Sequence, residues 1–148
     1  MNTTPLDLLL ADDDQDDCMF FREALEELQM SCKLTTVPDG VELMRHLTAG
    51  NILPDALFLD LNMPLKNGYE CLTEIKVHEK LNTIPIFIYS TSLDTTVVNL
   101  LYEKGASYYI RKPGDFSKLK HVIHEALTTI TMENPVRTPK EKFVIQVK

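Results

Sequence analysis

Five short apolar runs punctuate the chain, at 6–11 (LDLLLA), 32–37 (CKLTTV), 55–59 (DALFL), 84–90 (IPIFIYS) and 107–111 (SYYIR). Three of them are almost wholly apolar, the pattern of strands covered on both faces rather than on one. Between them the spacing changes to the helical one. Met19, Phe20, Ala24, Leu25 and Leu28 recur at steps of one, three and four, which predicts a helix over 16–30. The same reasoning predicts helices over 39–48, 69–78, 94–104 and 116–130. Pro38-Asp39-Gly40, the stretch from Gly50 to Pro54, Gly105 and Pro113-Gly114 fall between these segments as breakers. Five strands alternating with five helices make repeated βαβ units. The expected fold is therefore α/β, a (βα)5 three-layer sandwich with one five-stranded parallel sheet.

The 148 residues suffice for one domain with a sizeable core. The periodic part, residues 1–132, is expected to form it, and 133–148 are expected to be a C-terminal extension. The extension begins as a linker with two prolines, NPVRTPKEK, and ends in the β-prone FVIQVK. In a strand Phe143, Ile145 and Val147 would share one face, so this segment must dock on something or stay disordered. Fifteen basic against 22 acidic residues give a net charge of −7, with the extension itself slightly basic. That balance argues against direct nucleic-acid or membrane binding through bulk charge. No apolar run reaches a membrane span, and the N-terminus lacks the basic start of a signal peptide. Cys18, Cys32 and Cys71 have neither disulfide nor metal spacing, which suits packing thiols in a reducing cytoplasm.

Candidate chemistry sits at the strand ends. In an open parallel sheet, ligands bind beyond the carboxyl ends of the strands. There the chain places Asp12, Asp13 and Asp14 after the first strand and Asp60 at the third. Ser90 and Thr91 end the fourth, and Lys112-Pro113 follow the fifth. Several carboxylates in one small site repel each other until a proton or a cation intervenes. Hard carboxylate oxygens suit Mg²⁺. A lysine and a hydroxyl beside such an ion suit a phosphoryl group, and an aspartate there can be the nucleophile that forms an acyl phosphate.

The segments LLLADDDQDD, LFLDLNMPLKNG, IPIFIYSTS and GASYYIRKP, in that order and each at a strand end, resemble the receiver domain of two-component signalling. The likeness runs from about Leu6 to Ile130 and is strongest to stand-alone, CheY-like response regulators. It implies a flavodoxin-like strand order 2-1-3-4-5 and a phosphorylation-dependent switch rather than an enzyme. Asp60 would accept a phosphoryl group from a sensor histidine kinase or a histidine phosphotransfer protein. Lys112 would contact that group, before a cis Lys112–Pro113 bond. Ser90 would hold the switch hydroxyl, and Tyr109 would turn inward as the switch aromatic. Mg²⁺ would be bound by Asp13, Asp60 and the backbone carbonyl of Asn62, with Asp12 acting mainly through water. Asn62 and Ser92 would modulate hydrolysis. The output would be contact with another protein, since no output domain follows residue 130. A homodimer would pair through the fourth helix, fifth strand and fifth helix. Ala11 and Ser90 stand where other residues are commoner in this family, and the extension has no assigned counterpart.

Other readings of the same residues are weaker. Asp12-Asp13-Asp14 contains a D-x-D, which opens the alternative of a haloacid-dehalogenase-like phosphohydrolase with Asp12 as nucleophile. Gln15 and Asp16 do not continue that motif, and no cap insertion is evident. Asp14 or Asp16 is expected to cap the first helix. Tyr89 should point away from Ser90 and serve packing. Tyr108 is the neighbour that could share the role of Tyr109, and His121 and His124 read as a solvated helix face.

Overall fold

A computed structural model describes residues 5–50, 52–132 and 139–145. The five predicted strands are present as β1 (Leu6–Ala11), β2 (Cys32–Val37), β3 (Ala56–Leu59), β4 (Ile86–Ser90) and β5 (Tyr108–Arg111). The helices between them are α1 (Gln15–Leu28), α2 (Gly40–Ala49), α3 (Gly68–Val77), α4 (Thr95–Glu103) and α5 (Phe116–Met132). Each of the first four helices begins where a short polar side chain accepts from the backbone amides its first turn leaves free. Asp14 does this for Asp16 and Asp17, Asp39 for Glu42, Asn67 for Glu70, and Asp94 for Thr96 and Val97. Asp115 accepts in the same way from Ser117 and Lys118 at the head of α5.

The sheet runs β2-β1-β3-β4-β5-β6, with every neighbour parallel. The first five strands stand in the expected order, and the fold is flavodoxin-like. Period-two alternation along the strands feeds two cores. Leu8, Leu10, Phe58 and Phe87 pack against α1 and α5. Leu9, Leu57, Leu59 and Ile88 pack on the opposite face with α2, α3 and Leu101 of α4.

The sixth strand comes from the C-terminal extension. A 3₁₀ turn (Lys140–Lys142) leads into β6 (Val144–Ile145), which pairs with β5 in the register Tyr109–Val144 and Ile110–Ile145. Of the two fates open to this segment, docking is the one observed, on the chain's own sheet edge. Phe143 is 1% exposed and Ile145 8%. They do not share a face: Phe143 enters the core beside Tyr109, and Ile145 joins the core beside α5. Val147 lies outside the described residues.

One close approach sets the geometry of the third strand's end. A Cβ at Gly68 would stand 2.4 Å from the Asp60 carbonyl oxygen and 2.8 Å from the Leu61 Cα. Both are backbone atoms that no rotamer change can move. Gly68 also donates its N–H to the Leu61 carbonyl at 2.9 Å. Gly68→Ala is therefore expected to cost about 1–3 kcal/mol by overpacking and to displace Asp60. Urea denaturation checks the first effect, and an unchanged midpoint would mean that the loop accommodates the methyl group.

Candidate functional site

The carboxyl ends of the parallel strands converge on one rim of the sheet. Asp12 follows β1 directly, and Asp60 follows β3. The N–H of Asp60 donates to the Ala11 carbonyl at 2.9 Å, so the two carboxylates rise from adjacent, hydrogen-bonded strand ends. Asp12 and Asp60 are buried, and Asp13 is exposed. One carboxylate oxygen from each of the three lies within 4.8 Å of the others. Asp12 also accepts from the Asp14 N–H at 2.9 Å, which fixes the loop as it turns into α1.

Lys112 reaches this cluster from the end of β5. Its N–H donates to the Ser90 carbonyl at 2.7 Å, continuing the β4–β5 ladder one residue beyond the strand. Its Nζ lies 2.8 Å from Asp12 Oδ2, 2.8 Å from Asp17 Oδ2 and 3.6 Å from Asp60 Oδ2. Burial works against the ammonium charge, but the hydrogen bonds to Asp12 and Asp17 outweigh it and hold Lys112 above its ordinary range. The peptide bond before Pro113 is trans, and no cis bond occurs among the described residues. This corrects the expected cis bond. Trans is the intrinsic preference of an X–Pro bond, and Nζ meets the carboxylates from it.

Asp60 carries the opposite pressure. Burial pushes its pKa up, Lys112 partly offsets this, and the Asp12 charge pushes it up again, leaving Asp60 at about 6. A carboxylate so placed gains from any cation that joins it. Three hard oxygen donors of three residues, clustered at a solvent-facing rim, fit a small divalent ion. The Asn62 N–H points toward Asp60 Oδ1 at 3.4 Å, a long contact, and the Asn62 side chain is exposed.

Ser90 is buried, and its Oγ accepts from the Ser92 N–H at 3.2 Å. The Ser92 carbonyl in turn accepts from the Tyr109 hydroxyl at 2.6 Å. Tyr109 is already turned inward and fully buried, with Phe143 of the extension beside its ring. Burial raises its hydroxyl above the ordinary phenol range, with hydrogen bonding to Ser90 working the other way. Tyr108 faces the opposite core and shares none of these contacts.

Two participants escaped sequence reasoning. Asp17 is the second carboxylate on Lys112. It lies in the first turn of α1, three residues beyond the cap Asp14, and its side chain has no cap role there that would mark it in the sequence. Tyr89 does pack in the core beside α1, as its alternation with Ser90 predicts, but the Lys112 ammonium also lies 4.9 Å from its ring centroid. His121 and His124 are exposed on α5, as expected. Cys71 is buried, Cys18 and Cys32 are half-buried, and all three are free thiols.

The chain is similar to several known proteins. FilR2 of Methanothrix harundinacea, a probable methanogenesis regulatory protein, is 30% identical over 125 residues, covering 82% of this chain and 81% of that protein. The crystal structure of the phosphorylated cyanobacterial phytochrome response regulator RcpA superposes with a TM-score of 0.80 at 30% identity, over 87% of this chain and 96% of that one. The Mn²⁺-bound form of response regulator Rcp1 gives 0.75 at 28% identity, over 87% and 96%. The phosphohydrolase alternative finds no support among them, and here Asp12 is engaged by Lys112 and the Asp14 amide. Among the described residues no helix is long and apolar enough to cross a membrane. The sequence model of the response regulator receiver domain matches residues 8–124, and with that match the chain belongs to the receiver family, phosphorylation-dependent signalling proteins, not true enzymes, that take phosphoryl groups from histidine kinases.

Proposed function

We propose that Asp60 is the phosphoryl acceptor of this receiver, and that the donor is a phosphohistidine of a sensor kinase or of a histidine phosphotransfer protein. The observation that carries the reading is the convergence of Asp12, Asp13 and Asp60 within 4.8 Å, with Lys112 hydrogen-bonded into the same cluster. Asp60, which follows β3 at the rim, is the nucleophile in this reading because it holds the acceptor position of the receiver family. The phosphorus–nitrogen bond to the donor histidine breaks as the phosphorus–oxygen bond to Asp60 forms.

Asp12, Asp13, Asp60 and the backbone carbonyl of Asn62 are the groups that would hold Mg²⁺. When bound, this ion neutralises charge on the transferring phosphoryl oxygens. Lys112 has the other share of that work. In the structure its Nζ is nearer to Asp12 and Asp17 than to Asp60, and a phosphoryl oxygen on Asp60 gives it a stronger partner. The Ser90 hydroxyl accepts from the Ser92 amide and, with its own hydrogen still available, moves to donate to another phosphoryl oxygen. Tyr109 reads that movement through its bond to the Ser92 carbonyl. Exposed Asn62 and Ser92, each two residues beyond a site residue, modulate the water that later hydrolyses the acyl phosphate.

The output is contact with another protein in the cytoplasm, without direct binding of nucleic acid or membrane. Pairing of two copies through α4, β5 and α5 would present β6 at that face, since β6 occupies the edge of β5.

Incubation with acetyl phosphate and Mg²⁺, followed by intact mass measurement, tests the acceptor. The wild-type chain is expected to gain about 80 Da, the mass of one phosphoryl group bound as an acyl phosphate, and Asp60→Asn to gain nothing. A gain that persists in Asp60→Asn would move the acceptor elsewhere.

A further inference from the structure

The extension does more than cover a sheet edge. Phe143 lies between two aromatic rings, 5.1 Å from the Tyr102 centroid in an edge-on arrangement and 6.3 Å from the Tyr109 centroid. Its backbone joins the same contact, since the Tyr109 N–H donates to the Phe143 carbonyl at 2.9 Å. An unbroken set of contacts then leads to the rim. Tyr109 donates to the Ser92 carbonyl, the Ser92 amide donates to Ser90 Oγ, and the Lys112 amide donates to the Ser90 carbonyl.

Without the extension, β5 would be the sheet edge and Tyr109 would have open space on its outer side. An aromatic side chain at such an edge has a second staggered position toward solvent. With Phe143 seated, that volume is filled by a residue that is itself 1% exposed. Close-packed interiors choose between discrete arrangements rather than deforming smoothly. Tyr109 inward and Phe143 docked are therefore one state.

We propose that Phe143 is a positioning residue for phosphoryl uptake. By occupying the outward position of Tyr109 it holds the Tyr109–Ser92–Ser90 contacts in the arrangement that receives the phosphoryl group. The proposal rests on the reading of Ser90 and Tyr109 as the parts that respond to phosphorylation. It adds that this chain's own extension sets their starting state. Coupling of this kind is reciprocal. Whatever Phe143 contributes to phosphoryl binding, an occupied site returns to the docking of β6.

The probe is beryllofluoride with Mg²⁺, a non-hydrolysable phosphoryl mimic, titrated against the full chain. Phe143→Ala is expected to weaken its apparent affinity about five- to tenfold, in the range of measured coupling between sites. Phe143→Leu, which refills much of the volume, should recover most of the loss. In a Tyr109→Ala background the Phe143→Ala change should have no further effect, because the residue through which it acts is gone. Hydrogen exchange of the Ile145 amide, which the parallel register turns toward β5, should slow by a similar factor in the wild-type chain when beryllofluoride binds, and this needs no variant to fold. Equal affinity of Phe143→Ala and wild type would overturn the proposal. So would an equal loss with and without Tyr109, or β6 exchange indifferent to the ligand. A wild-type chain that binds beryllofluoride and forms the acyl phosphate keeps the acceptor assignment standing through any of those failures. One that does neither removes the assignment and this proposal together.

Discussion

Replacing Lys112 with alanine is expected to produce the largest loss of stability of any single change at the rim. The Lys112 side chain is 9% exposed and serves Asp12, whose side chain is fully buried, together with Asp17 and Asp60. Its removal leaves buried carboxylates facing one another without their cation. Truncating one partner of a buried ion pair costs about 3–5 kcal/mol, mostly through the charge left behind. Asp17 is partly solvated and recovers some hydration, so the lower half of that range is the expectation. Two conditions should restore much of the loss. Mg²⁺ supplies a different cation to the same oxygens, and acid protonates them. Denaturant unfolding of Lys112→Ala at pH 7.5 and pH 5, each with and without Mg²⁺, checks this. A deficit under about 1 kcal/mol, or one blind to both treatments, would mean that Lys112 is not the counter-ion of the cluster. Acetyl phosphate should modify the variant at least about tenfold more slowly, since an electrostatic donor to the transferring group is lost.

Much of this site was legible because its residues lie where short local rules apply. Asp12, Asp60, Ser90 and Lys112 each stand at the end of an apolar run, and a parallel sheet brings such ends together without further information. Helix starts were legible from the onset of helical spacing, and of their caps Asp14 alone was among the expected ones, whereas Asp39, Asn67, Asp94 and Asp115 emerged only with the structure. Asp17 was not legible, because a helix residue joins the rim only through its rotation, which periodicity marks far less clearly than a strand end. The partnership of Lys112 with the Tyr89 ring was hidden differently. Tyr89 sits on the other face of its strand, and only the reach of a long lysine side chain brings the two together. The extension was ambiguous for a thermodynamic reason. Alternation in six residues says that a strand would have an apolar face, but whether it docks depends on what the sheet edge offers. Here the offer is a seat between Tyr102 and Tyr109, residues that local pattern assigns only to a helix and a strand. The bond before Pro113 could not be settled from sequence at all, because the two isomers differ by only about 0.5–1 kcal/mol intrinsically.

Asp60→Asn is expected to stabilise the metal-free protein while abolishing its phosphorylation. In the folded chain burial and the Asp12 charge lift Asp60 to about 6, against an ordinary value of 3.8. A carboxyl group raised on folding binds its proton more tightly in the native state than in the unfolded one. Its contribution to stability is fully present below the unfolded value, is lost progressively as pH rises through the folded value, and is absent above it. At pH 7.5 the ionised carboxylate therefore costs the native state about 2–3 kcal/mol relative to a neutral group, and the lower figure is preferred because water reaches the rim. An amide cannot ionise and escapes that cost. The stability difference between Asp60→Asn and wild type should thus be near zero around pH 4 and grow through pH 6 to its full size above pH 7. Mg²⁺ should shrink it again by stabilising the wild type, since an ion at the cluster favours the charged form. Thermal unfolding across this pH range, with and without Mg²⁺, reads both trends. A difference that stays constant from pH 4 to pH 8 would show that Asp60 ionises with its ordinary affinity for the proton. The electrostatic tension at the end of β3 would then not be what draws a cation to this rim.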